Sequence, residues 1–251
     1  MSQSKVIIIT GASRGIGLAA SQYLLSQGHK IAAVARSKEP LEKLAAQSPD
    51  QVLPLAQDLS SLTIGKDIVD ATLKKWQRID SVIINHGTLD PIKRVADMSP
   101  EEWRSAFDIN VFSGVGLIQA ALPSLRQSKG TIILTSSGAA VSAYSTWGTY
   151  GAAKAVLNHL ALTLSVEEPD VTSVSIRPGT VDTEMQREIR EKHHTSMDAH
   201  DVKKFASLKS EGKLLRPEQP GHVIAKLAVG ASRELSGRFL NWNDKDLAAF
   251  Q

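Results

Sequence analysis

The stretch Val6-Ile7-Ile8-Ile9-Thr10-Gly11-Ala12-Ser13-Arg14-Gly15-Ile16-Gly17 runs from a β-branched apolar segment into a turn holding three glycines. Consecutive Val and Ile residues suit a strand buried on both faces, as in a parallel sheet. Glycine permits the tight turn and lets a pyrophosphate approach the backbone. The helix that follows offers unpaired N–H groups and a partial positive charge to that anion. Strand, glycine turn and helix in this order predict a dinucleotide-binding unit.

The same rhythm continues outward. Short β-branched runs over residues 5–10, 30–35, 51–56, 79–84, 130–136 and 172–177 predict six strands, with a seventh over 239–242. Amphipathic stretches over 15–27, 40–47, 64–76, 100–122, 147–168 and 217–229 predict the helices between them. Ser99-Pro100-Glu101-Glu102 is a helix start, with a cap, a first-turn proline and two acids. Strands alternating with helices predict an α/β fold with a doubly wound parallel sheet. Residues 179–215 are polar and weakly periodic, and are expected to form one or two short helices covering the site. No linker composition interrupts the chain, so 1–251 reads as a single domain.

The chain has 251 residues, 42% hydrophobic and 22% charged, enough to bury a large core. It has no cysteine, which excludes disulfides, thiolate zinc sites and a cysteine nucleophile, and fits a reducing compartment. The apolar run at the N-terminus is too short for a signal core or a membrane span, so a cytoplasmic protein is expected, with no membrane partner. The net charge of +3 is spread along the chain without a basic stripe, so no nucleic-acid partner is expected. His193 and His194 lack further ligands nearby and read as a solvated loop; no metal is expected.

The glycines are spaced Gly-x-x-x-Gly-x-Gly after Thr10, and this segment resembles that of short-chain dehydrogenases/reductases. The resemblance implies a Rossmann fold of about seven strands in the order 3-2-1-4-5-6-7. It also implies nicotinamide-cofactor contacts from Gly11, Ser13, Arg14, Gly15, Ile16 and Gly17. At the end of the second strand an NAD-preferring site would place an acid near the ribose. Here Ala35 is neutral, while Arg36, Ser37 and Arg14 can converge on a 2′-phosphate, so NADPH/NADP+ is the expected cofactor. Asp58 matches the family position that bonds the adenine.

Tyr150 and Lys154 stand four residues apart in a helical stretch and so share a face. A phenol exchanges protons poorly near neutrality unless a cation stabilises its anion, and Lys154 is such a cation. Ser137 precedes Tyr150 by thirteen residues, the family spacing, and its hydroxyl can bond a carbonyl oxygen that gains charge as hydride arrives. Ser136 is the adjacent alternative. The resemblance further implies that Asn110 is the fourth catalytic residue, holding a water near Lys154. It implies as well that Pro178, Gly179, Val181 and Thr183 cross the nicotinamide, Val181 and Thr183 contacting carboxamide and phosphates. Asn85-His86-Gly87 departs from the family's Asn-Asn-Ala-Gly, with Ile84 and His86 at the changed places. Asn85 and Gly87 remain candidate cofactor contacts, and local repacking is expected at His86.

The segments around Val34 to Leu44, Ser145 to His159, Val181 to Met185 and Phe239 to Asp244 are similar to the fungal benzil-reductase group, itself similar to sepiapterin reductases. This implies reduction of a small-molecule carbonyl, foremost an aromatic α-dicarbonyl. Trp147, Met185 and Trp242 are candidate pocket walls. Asn241 aligns with the aspartate that anchors a pterin in sepiapterin reductases, which weakens that substrate, while nearby Asp244 keeps it among the alternatives. 3-Oxoacyl reduction and a non-catalytic NADPH sensor are the others. The long helices starting near Pro100 and Trp147 are the surfaces through which the family forms a homodimer or homotetramer.

Overall fold

A computed structural model describes residues 4–251. The opening apolar run forms β1 (Val6–Thr10), every residue of it buried. Successive side chains alternate between faces, so Ile7 and Ile9 enter one core layer and Ile8 the other. β1 pairs in parallel with β2 (Lys30–Ala35) and β4 (Ser81–Ile84). β3 (Val52–Ala56), β5 (Thr131–Thr135), β6 (Thr172–Arg177) and β7 (Phe239–Asn241) complete a seven-stranded parallel sheet in the order β3-β2-β1-β4-β5-β6-β7. The strand order expected from the sequence is the order observed.

Helices cover both faces. α1 (Gly15–Ser26) and α9 (Glu218–Gly230) pack together, their buried residues joining the layer that holds Ile7 and Ile9. α3 (Ile64–Trp76), α5 (Ser113–Ser128) and α6 (Gly148–Glu167) cover the opposite face around Ile8, Val82 and Leu134. α2 (Lys38–Gln47) flanks β3, starting two residues before the expected boundary, with Ser37 in extended backbone as its N-cap. The crossover directions reverse between β1 and β4, which opens a crevice at the carboxyl ends of the strands.

The helix expected over 100–122 differs in two ways. α4 (Pro100–Phe107) starts at a capping box in which Ser99 and Glu102 bond each other's backbone N–H groups. It passes through a π turn (Asp108–Phe112) before α5 begins. α5 then runs through Pro123 to Ser128: proline removes one N–H bond, but Leu125 is fully buried in the sheet-side core and holds the last turn in register. By length and composition the run Pro100–Ser128 could span a membrane, and Leu117, Ile118, Ala121 and Leu125 turn that apolarity into the core.

Residues 179–215 do form two short helices, α7 (Glu184–Glu191) and α8 (Ala199–Ser210). The excursion is closed at its base by a parallel bridge between Val181 and Leu215. Asp182 N–H donates to the Leu215 carbonyl (2.8 Å), and Leu215 N–H to Thr180 (2.9 Å).

Candidate active site

One cavity of about 740 Å³ follows the crevice from the end of β2 to α8. Its floor is the glycine turn. Gly11 (φ +67°) and Gly15 (φ +54°) adopt left-handed backbone, and a Cβ on Gly11 would lie 3.1 Å from Asn85 Nδ2. Arg14 is the N-cap of α1; its side chain makes no cap bond and no acid stands in the first turn. The first N–H groups of α1 therefore face the cavity, which Ser13, Arg14, Gly15 and Ile16 line. Gly17 differs from expectation: it is not on the lining, and a Cβ there would meet the Gly11 carbonyl at 2.2 Å. Its role is to let α1 seat directly beneath the turn.

Arg36, Ser37 and Asp58 line the same cavity as Arg14. The Ser60 backbone N–H bonds Asp58 (3.0 Å) and, with the nearby Arg36 charge, keeps its carboxyl below the usual range. At the other end of the turn Asn85, Gly87, Pro178, Gly179 (φ +80°), Val181 and Thr183 also reach the lining. Thr183 caps α7 through the Gln186 N–H and packs its methyl over Gly15, bringing the base of the lid onto the glycine turn.

The catalytic candidates meet in the middle. Tyr150 and Lys154 lie on successive turns of α6, both buried. Lys154 Nζ donates to the Thr135 carbonyl (2.8 Å) and sits 5.7 Å from the Tyr150 ring centre. Burial pushes the Lys154 ammonium down to about 8. Burial also raises the Tyr150 phenol, and the Ser137 hydroxyl only partly offsets this. Burial thus moves the phenol in the direction opposite to the lowering expected from Lys154. Ser136 Oγ is taken by the Lys154 carbonyl (3.2 Å), whereas Ser137, also on the lining, stands by Tyr150.

Asn110 sits on the π turn and clamps Thr88, accepting from its N–H (2.9 Å) and donating to its carbonyl (3.0 Å). A Cβ placed on Gly87 would lie 2.9 Å from Asn110 Oδ1 and 3.5 Å from Lys154 Nζ. Asn110 and Lys154 therefore flank one small space. His86 holds this turn in place. Its Nδ1 lies 2.8 Å from Thr10 Oγ1 and its Nε2 2.9 Å from both the Ile109 carbonyl and Ser113 Oγ. A carbonyl only accepts, so Nε2 carries the proton. Burial and the Lys154 charge hold the ring at a pKa of about 4, neutral at physiological pH. The substitution expected to cause local repacking is a strut between β1 and the π turn.

Beyond Tyr150 the wall of the cavity is aromatic. Trp147 stacks on Phe205 of α8 (5.2 Å, 22°), meets Tyr150 edge-on (5.8 Å, 85°) and lies 4.8 Å from Tyr144. Met185 also lines the cavity. Tyr144 and Phe205 were not anticipated; the three-residue spacing Tyr144-x-x-Trp147-x-x-Tyr150 signals the first, and nothing local signals the second. Trp242 and Asn241 do not reach the cavity. Trp242 lies behind Gly179, 3.2 Å from a Cβ there, and lines a separate shallow cavity beside Arg216 and His222. Asn241 is exposed at the end of β7, an edge strand one step beyond β6.

The short chain dehydrogenase family model matches residues 5–194. An uncharacterized oxidoreductase of Schizosaccharomyces pombe is 42% identical over 95% of this chain and 96% of its own length. A benzil reductase ((S)-benzoin forming) of Saccharomyces cerevisiae is 35% identical over 98% and 99%. The crystal structure of a short-chain dehydrogenase/reductase from Saccharomyces cerevisiae superposes with a TM-score of 0.96 at 39% identity, over 99% of this chain and all of that one. By sequence, topology and the placement of Ser137, Tyr150 and Lys154 around one crevice, the chain belongs to the short-chain dehydrogenase family of oxidoreductases.

Proposed function

We propose that the chain is an NADPH-dependent carbonyl reductase whose substrate is an aryl ketone or aromatic α-dicarbonyl. The observation that carries this reading is a buried phenol, Tyr150, in a single cavity that is lined by Arg14 and Arg36 and, around Tyr150, by an aromatic wall. Residues of this chain fit the cofactor: α1 would offer its N-terminus to the pyrophosphate, and Arg14, Arg36 and Ser37 on the cavity lining are the residues that would hold a 2′-phosphate. Bound NADPH supplies the hydride.

The side chains supply the rest. The raised phenol of Tyr150 keeps its proton through neutral pH, and the acid is in place before the substrate arrives. Ser137 bonds the carbonyl oxygen as negative charge gathers on it. As hydride adds to the carbonyl carbon, Tyr150 protonates that oxygen, and the Lys154 ammonium stabilises the phenolate left behind. Asn110, which flanks the same small space beside Gly87 as Lys154, is the residue we assign to hold the water that would return a proton to Lys154. Kinship with a protein named benzil reductase supports the substrate class. The spectrophotometric test follows NADPH loss with benzil and other diketones, sepiapterin and acetoacetyl thioesters; no turnover of the diketones overturns the proposal.

Cofactor preference rests on Arg36, which is exposed and free of any ion pair among the described residues. Loss of a charge-assisted bond to phosphate predicts that Arg36→Ser raises the KM for NADPH by about 10- to 100-fold and leaves NADH use nearly unchanged. Equal effects on both cofactors would remove Arg36 from phosphate recognition.

We further propose that the protein works in the cytosol and associates with copies of itself through α5 and α6. Phe112, the last residue of the π turn, leads into α5, and Val156, Leu162 and Val166 stand on α6; all four are exposed apolar side chains, Val166 being 78% exposed. Leu162→Glu is expected to shift the sedimenting species to monomer. An unchanged oligomer would place the interface elsewhere.

A further inference from the structure

Five buried side-chain polar atoms lack a hydrogen-bond partner among the described residues: Thr135 Oγ1, Trp147 Nε1, Thr149 Oγ1 and both ends of the Gln186 carboxamide. Hydroxyls can rotate to weak partners, but an amide left with neither donor nor acceptor satisfied is costly, and native structures rarely keep one without a use. Gln186 is 3% exposed and lines the cavity. It and Ile189 are the buried residues of α7, one turn apart. Ile189 packs in the cluster of Trp147, Tyr150 and Phe205, so Gln186 belongs to the substrate end. The other unpaired atom there, Trp147 Nε1, is a donor in the same wall.

We propose that Gln186 is a specificity-determining residue, whose carboxamide N–H takes the second carbonyl oxygen of a dicarbonyl while Ser137 and Tyr150 take the first. This rests on the carbonyl-reductase reading above and deepens it. A pocket that is otherwise aromatic can bind a ketone of any polarity at its reacting end. A second oxygen buried against rings would lose its water without return, unless a donor such as Gln186 met it. The site discriminates because the unpaired amide gains a partner only from a substrate that brings one.

The test compares two substrates of the same two-ring size, benzil and deoxybenzoin, which lacks the second carbonyl. Gln186→Met keeps length and volume and removes the amide. The expected result is a loss of about threefold to tenfold in kcat/KM for benzil, the worth of one neutral hydrogen bond, with deoxybenzoin unchanged. NADPH binding, followed by fluorescence titration, stays at the wild-type value, and the unfolding temperature of the protein without added cofactor does not fall. Equal losses with both substrates, no loss with benzil, weaker NADPH binding or a lower unfolding temperature would each overturn the assignment while leaving the reductase reading intact. If the wild type turns over neither ketone, it is the reductase reading that fails, and the role given to Gln186 falls with it.

Discussion

Tyr150→Phe lowers turnover of a ketone by about 10²- to 10⁴-fold, the range expected when a positioned proton donor is lost. The variant should fold as the wild type does, because the ring is what packs. Its edge-on contact with Trp147, at 5.8 Å, uses carbon atoms that phenylalanine retains. NADPH titration should give a dissociation constant within about tenfold of the wild type, since one neutral hydrogen bond at most is removed from the cofactor side. Activity held within about tenfold of wild type would mean that another group delivers the proton, against the range cited for such donors.

Lys154→Met is expected to abolish activity comparably and to raise stability. The ammonium of Lys154 is buried, and its pKa falls from 10.5 to about 8. Between those two values the unfolded chain binds a proton that the folded protein does not, so wild-type stability rises with pH across that window. Below pH 8 the buried charge costs about 3 kcal/mol, because each tenfold weakening of proton affinity is worth about 1.4 kcal/mol. Loss of the bond to the Thr135 carbonyl offsets part of the gain when that charge is removed. The methionine variant should therefore melt higher than wild type at pH 7 and lose the rise between pH 8 and 10.5. In the wild type, kcat/KM for carbonyl reduction should fall as pH passes upward through about 8, as the ammonium is lost. A variant less stable than wild type at pH 7 would contradict the desolvated ammonium.

Features with a local signature were legible in the sequence. The β-branched run into the glycine turn specified β1 and α1, and the same alternation extended to all seven strands. Tyr150 and Lys154 share a helix face because of their spacing, and Arg36 follows directly on a strand. What escaped depends on distant partners. The π turn has no residue code of its own; it is held where His86 reaches from the end of β4 to the Ile109 carbonyl. Phe205 reaches Trp147 from a helix of the lid whose docking depends on non-local contacts such as the Ser145 N–H to Asp201 bond (3.0 Å). Trp242 looked like a pocket wall because aromatic residues near a sheet end commonly are, but β7 ends one strand too far out and turns the indole behind Gly179.

The bridge between Val181 and Leu215 makes the intervening helices a cassette with adjacent ends. Its two termini enter and leave the sheet domain at one place, fixed by backbone bonds that any sequence can make. Phe205, Met185 and Gln186 are carried by that cassette, whereas Tyr150, Lys154 and Ser137 are not. Exchanging residues 182–214 for the equivalent segment of a relative would thus replace the part of the wall that Met185, Gln186 and Phe205 supply, and leave Trp147, Tyr144 and the proton-transfer residues in place.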